Sequence, residues 1–295
     1  MNKSRGLIRK MAWALVLAVA AMACPGRARA QMDPYFAAIN YPNPKHTFMA
    51  MFLPDFQVAH LGNNYFTEMG MVEYGITSRW TAGAMIEGQK IIGSPATYGG
   101  MRFNSYFQVF PRDRWVHFTL YGEYEYLNGA SLYKMEVSGF GPEDLTVPLT
   151  VARSSSAHTF EQRAIFYHDW GRLNLTFNFI NETDLATSQN DFGYVWGLFR
   201  APRWMGMRMR PEARKMSVTP PRLSLDRLGY GVEMMGALGN TSKFGFGYWS
   251  NEQQYLGPVF GYALSPRWSV RVEPTFGLSN VSDPFVLRTG IAFSF

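Results

Sequence analysis

Two groups of residues in this 295-residue sequence could do chemistry. The first is a nucleophile near a base: Ser154, Ser155 and Ser156 stand just before His158, where a membrane-surface hydrolase would hold a serine at the lip of a strand. A hydrated loop also explains three serines in a row, and closeness in sequence does not make a dyad. The second is a set of charges set among apolar and aromatic residues: Glu73, Glu87, Glu123, Glu125, Glu161, Arg163, Glu233, Arg271, Glu273 and Arg288. Such charges could pair with one another and fill an interior, or line a polar passage that selects solutes by charge and size. The five histidines have no metal-ligand spacing, and no G-x-S-x-G or phosphate loop in strand-to-helix context occurs. Neither a metal nor a cofactor is expected.

The elements that carry the charges are strands. Side chains alternate across a strand, so residues two apart share a face. In "VHFTLYGEYEY" Val116, Phe118, Leu120, Tyr124 and Tyr126 oppose His117, Thr119, Tyr121, Glu123 and Glu125. In "WSVRVEPTFGL" Trp268, Val270, Val272, Phe276 and Leu278 oppose Ser269, Arg271, Glu273, Thr275 and Gly277. "RLNLTFNF" and "LGYGVEMMGAL" repeat the pattern. An Arg or Lys facing lipid at mid-membrane costs about 2–4 kcal/mol, so in a membrane barrel the charged faces belong inside. Inward glycines (Gly83, Gly229, Gly231, Gly257, Gly277, Gly290) would leave space beside the acids.

The first thirty residues are built differently. A basic start, "MNKSRGLIRK", precedes the thirteen-residue apolar run "MAWALVLAVAAMA", too short to span a bilayer, and "ARA" at 28–30 offers small residues for cleavage. Residues 1–30 read as a cleaved signal peptide, and 31–295 as the exported domain. A competing lipoprotein cut at Cys24, the only cysteine, lacks the usual Leu. The leader holds six of the 28 basic residues, which leaves 22 against 22 acidic ones, so the net charge of +6 gives no reason to expect a nucleic-acid partner. Aromatics at 16% and charged residues at 17%, with no later apolar run of eighteen, point to an all-β transmembrane barrel.

About twelve strands are expected, near 46–58, 64–76, 80–90, 101–110, 115–127, 157–168, 172–182, 191–200, 228–239, 253–264, 268–279 and 284–295. This is an antiparallel up-and-down barrel with both ends on the periplasmic side. Short turns recur at 77–79, 111–114, 168–172 and 265–267, and Trp80, Trp115, Trp170 and Trp268 sit at or beside them as one interfacial girdle facing outer-membrane lipid. Residues 128–156 read as an outer loop. Residues 200–227, with eight basic residues and two acidic, read as a basic periplasmic segment, although "MGMRMR" within it could supply two more strands and make fourteen.

"EYGITSRWTAG" (73–83) and "YLGPVFGYALSPRWSVRVEPTFGLS" (255–279), with the terminal aromatic, resemble bacterial outer-membrane barrels grouped with transporters of the phenol meta-cleavage pathway type. The resemblance implies a bacterial outer-membrane location and leaves the solute open. It also implies that Phe293 and Phe295, on the closing strand "GIAFSF", signal to the barrel-assembly machinery. The leading expectation is a passive channel or uptake barrel for small solutes. Its selectivity candidates are Glu73, Glu87, Glu123, Glu125, Glu233, Arg271, Glu273 and Arg288. A plugged structural or interaction barrel and a lipid hydrolase are the alternatives.

Overall fold

The computed structural model describes residues 34–60, 63–110, 115–128, 156–204, 219–241 and 246–295. Twelve strands run in chain order: β1 (Phe48–Val58), β2 (Tyr65–Thr77), β3 (Trp80–Ile91), β4 (Thr97–Gln108), β5 (His117–Leu127), β6 (Ala157–Trp170), β7 (Leu173–Asp184), β8 (Asn190–Arg200), β9 (Leu228–Asn240), β10 (Gln254–Ala263), β11 (Trp268–Gly277) and β12 (Phe285–Ser294). Each pairs antiparallel with its neighbours in sequence, and β1 pairs with β12 to close the barrel. Strands of 10 to 14 residues suffice to cross a bilayer when tilted.

Alternation decides which face is which. In β5 His117, Thr119, Tyr121, Glu123, Glu125 and Leu127 are buried, whereas Leu120 between them is exposed. Phe52, Val72, Ile86, Phe103, Phe166, Phe177, Phe260, Phe276 and Ile291 extend this exposed apolar belt around the outside. Only lipid makes such a belt favourable, since so large a continuous apolar surface is foreign to soluble monomers.

The seam between β1 and β12 forms at the chain's last residue. Phe48 N–H donates to the Phe295 carbonyl at 2.8 Å, Phe295 N–H returns a bond to Phe48 at 2.9 Å, and the two rings stack at 5.3 Å. Pro54 interrupts this ladder because it has no N–H, and the Thr289 hydroxyl takes its carbonyl instead at 2.8 Å. Pro258 and Pro274 open a similar gap between β10 and β11, flanking Gly257 and Glu273.

Both β1's start and β12's end lie at one end of the barrel, here the lower end, with the turns at 78–79, 171–172 and 264–267. β8 pairs directly with β9, so the segment between them adds no further stave and the barrel has twelve strands rather than fourteen. "MGMRMR" and nearly all of 128–156 lie outside the described residues. The described ends of 200–227 are pinned under the barrel. Arg227 stacks on the buried Trp204 at 4.1 Å and donates to the carbonyls of Pro220, Pro221, Ala263 and Leu264 at 2.8–2.9 Å.

The buried apolar core lies inside the barrel. Tyr35, Ala38 and Tyr41, from the segment preceding β1, pack there against Tyr106, Tyr121, Tyr167, Val195 and Phe199. The N-terminal segment therefore folds back into the lumen.

Candidate functional site: the barrel lumen

The segment enters the lumen beside β2, where its backbone meets Gly75. His46 N–H donates to the Gly75 carbonyl at 2.7 Å, and a Cβ on Gly75 would lie 2.0 Å from the Pro44 carbonyl oxygen, so only glycine admits this approach. Asn43 then anchors it, its N–H on Thr81 Oγ1 at 2.7 Å and its Nδ2 on Glu73 at 2.8 Å. Higher up, Asn178 holds both main-chain groups of Ile39, taking the N–H at 2.8 Å and donating to the carbonyl at 3.0 Å. Glu233 accepts the successive N–H groups of Phe36, Ala37 and Ala38 at 3.0, 3.0 and 2.5 Å. Arg163 donates to the Ala37 carbonyl at 2.6 Å and Arg271 to that of Tyr35. The Tyr35 hydroxyl reaches Asn174 Oδ1 at 2.9 Å, and its ring rests edge-on to Phe199 over Gly197. Six strands (β2, β3, β6, β7, β9 and β11) thus grip one short stretch of chain.

The inward charges form local groups around it. Arg102 on β4 is a hub, 2.5 Å from Glu87, 3.3 Å from Glu123 and 3.1 Å from Glu125, with the Thr159 hydroxyl on Glu125 at 3.0 Å. Arg163 is bidentate on Glu161 at 2.5 and 3.2 Å. Arg288 pairs with Asp55 at 3.3 Å and stands opposite Glu273 in the β11–β12 register. Glu233 stands opposite Gly257 on the stave between β9 and β11, and a Cβ there would lie 2.9 Å from Glu273. That glycine lets the two acids lean toward each other.

On the inward faces Asp55, Glu73, Glu123, Glu125, Glu161, Asp169, Glu182, Glu233 and Glu273 are buried with Arg102, Arg271 and Arg288, and Glu87 and Arg163 are nearly so. Among the described residues, these ten carboxylates face four guanidiniums. Methionines line one side: Met51, Met71 and Met85 lie in register across β1, β2 and β3.

All eight selectivity candidates point into this lumen, in two groups. Glu87, Glu123 and Glu125 gather on Arg102, whereas Glu73, Glu233 and Arg271 hold the N-terminal segment, and Glu273 and Arg288 flank it. Sequence reasoning missed the segment itself, along with Asn174, Thr176, Asn178 and Thr81, which read as ordinary polar strand positions. The expected space beside inward glycines is filled. At Gly229 and Gly231 the Phe199 side chain occupies it, at Gly83 Asn104 and Glu73, at Gly257 Glu273, at Gly277 Ser282, and at Gly290 Leu53 and Arg271.

Trp80, Trp115, Trp170 and Trp268 lie near the lower end with 37–75% of their surface exposed. Phe293 and Phe295 stack on each other at 5.4 Å, and Trp268 covers Phe293 at 4.5 Å. His158 points outward, its ring 2.5 Å from the Tyr124 hydroxyl and packed near Tyr126, and Ser154 and Ser155 lie outside the described residues.

Two cavities adjoin the segment. One of about 120 Å³ runs between residues 35–40 and the wall, lined by Met69, Met71, Met85, Tyr106, Tyr121, Arg102 and Glu123. The other, of about 70 Å³, opens above it beside Asp55, Glu68, Glu87, Arg102 and Arg288. Phe36 borders both, its ring under Arg271 at 4.5 Å and Arg288 at 5.6 Å. At the upper rim the Asp283 carboxylate accepts His60 N–H at 2.7 Å and the Tyr65 hydroxyl at 3.2 Å, and burial pushes its carboxyl above the ordinary range.

No family model matches the chain, and no curated protein matches it in sequence. Solved structures do match in fold. The KdgM porin superposes with a TM-score of 0.52 at 8% identity, over 84% of this chain and 99% of its own. The COG4313 outer membrane channel from Pseudomonas putida F1 gives 0.52 at 9% identity, over 88% of this chain and all of its own. The chain has the fold of bacterial outer-membrane channels.

Proposed function

We propose that the protein is a passive outer-membrane channel for small solutes, with residues 34–46 as a non-covalent constriction of its bore. The supporting observation is the lumen: ten carboxylates and four guanidiniums surround a segment held by hydrogen bonds and side-chain packing, with cavities beside and above it. A barrel built only to be a solid post would gain more from an apolar filling, because buried ion pairs are weak stabilisers. The lower end is periplasmic, since it bears the short turns and both ends of the barrel.

The excess of carboxylates gives the passage a preference for cations over anions. A KdgM porin structure is in complex with a disordered oligogalacturonate, so a barrel of this fold can take a sugar-acid oligomer. A polyanion of that kind would meet net negative walls here. Small neutral or positively charged solutes fit the present lumen better.

Reversal potentials across planar bilayers under a salt gradient test this. Cation preference that falls in a Glu87→Gln, Glu123→Gln double variant is expected. Anion preference, or no conductance from a heat-modifiable folded barrel, would contradict it. The plugged interaction barrel is the second reading, favoured by the six strands that grip the segment. It requires that the segment never leave.

A further inference from the structure

The hydrogen bonds on residues 36–39 are of one kind. Every polar bond recorded there involves main chain: three N–H groups on Glu233, the Ala37 carbonyl on Arg163, and both groups of Ile39 on Asn178, with the Thr176 hydroxyl also on the Ile39 carbonyl at 3.2 Å. Asn178 treats Ile39 as a neighbouring β-strand would, one acceptor and one donor meeting the N–H and C=O of a single residue. Glu233 sits where three successive N–H groups converge, an arrangement main chain supplies as an anion-binding concavity. The side chains at the centre, Ala37 and Ala38, are small, and the aromatic Tyr35 and Phe36 lie at one end.

We infer that Glu233, Arg163, Asn178 and Arg271 form a binding site for the main chain of short peptides in a bent conformation, which residues 35–39 occupy in cis. This rests on the reading of the segment as a removable constriction. Once the segment leaves, Glu233, Arg163, Asn178 and Arg271 lose these main-chain bonds together, while Arg163 keeps Glu161 and Asn178 keeps Thr176. A peptide that takes up the same bend replaces each bond in kind, provided its central residues are small and none of the three N–H donors is a proline. A saccharide lacks the run of successive N–H groups that Glu233 engages and the N–H and C=O of one residue that Asn178 engages. The permeant or inhibitor class assigned to the opened lumen is therefore short peptides.

The test uses the full chain with a site-specific protease sequence inserted between Lys45 and His46, in the exposed turn before β1, so that the barrel folds before the segment is cut. Conductance is recorded in planar bilayers before and after cutting. Three probes are then added: the peptide YFAAIN, an unrelated hexapeptide with small central residues, and a linear maltooligosaccharide of similar length. Both peptides should block at concentrations at least about tenfold lower than the saccharide, and Asn178→Leu should weaken their block by about tenfold. Equal block by the saccharide, or no block by either peptide, overturns the inference. Should cutting leave the current unchanged, the constriction reading fails. The peptide site is then judged separately, by whether free peptides, and not the saccharide, displace a fluorophore-labelled cut segment; failure to displace it overturns the site as well.

Discussion

Replacing Glu233 with Gln leaves the barrel's shape unchanged but removes the charge that holds Phe36, Ala37 and Ala38. Two carboxylate oxygens receive three N–H bonds at 2.5–3.0 Å, whereas Gln offers a single acceptor oxygen. A bond to a charged group contributes about 1.5–3 kcal/mol net, and bonds sharing one carboxylate are not additive, so the seat should weaken by about 2–3 kcal/mol. At about 1.4 kcal/mol per factor of ten, the unseated population rises roughly 30- to 140-fold. Hydrogen exchange of the protein in lipid nanodiscs reads this directly, because the amides of Phe36, Ala37 and Ala38 exchange only when the segment lifts. Their exchange should accelerate by that factor while amides in β5 and β6 stay protected. Unchanged exchange at 36–38 in a folded variant would refute the role given to Glu233.

Gly197 faces the ring of Tyr35, and a Cβ there would lie 2.2 Å from Tyr35 Cε1, so Gly197→Val should unseat Tyr35 and raise single-channel conductance. Arg102→Gln leaves Glu87, Glu123 and Glu125 without their shared cation; breaking such a buried group costs about 3–5 kcal/mol, so the variant should unfold at lower temperature in a gel heat-modifiability series and show stronger cation preference. Deleting Phe295 removes two bonds and a ring stack at the seam, and cells should assemble less barrel, while protein refolded in detergent loses little heat resistance. Asp283 has a raised folded-state pKa, so it favours the folded rim below its unfolded value near 3.8 and that contribution is lost as pH rises through the folded value. Proteolytic clipping at 278–284 should increase across that rise, and Asp283→Asn should abolish the dependence.

The strands were legible because lipid outside and water or polar chain inside impose period two on every stave. β5, β6, β7 and β9 start within two residues of the expected positions. β4 begins at Thr97 rather than 101 because Gly99 and Gly100 hide the alternation, and the register with β3 shifts beside them at Glu87 and Gly88. β1 also lies where expected although Pro54 and "FMAMF" blur its alternation, because Met49 and Met51 point inward as apolar lining.

The lumen's occupant was not legible in the same way. Residues 34–46 contain Pro34, Pro42 and Pro44 with Tyr35, Phe36 and Tyr41 and follow no period, since their partners come from six different strands. Two physical signs pointed to it. Three aromatics stand outside any strand and need a place to be buried, and the inward carboxylates outnumber the guanidiniums that could neutralise them. Main-chain N–H groups, which no sequence displays, meet part of that excess.

Single-channel recording of one reconstituted barrel, before and after protease releases residues 34–45, bears most directly on whether this is a constricted channel. A several-fold step up in conductance on cutting, with cation preference retained, is the expected result. A barrel that stays silent after the segment has demonstrably departed would show that the lumen is closed by its own walls and that the protein is no channel.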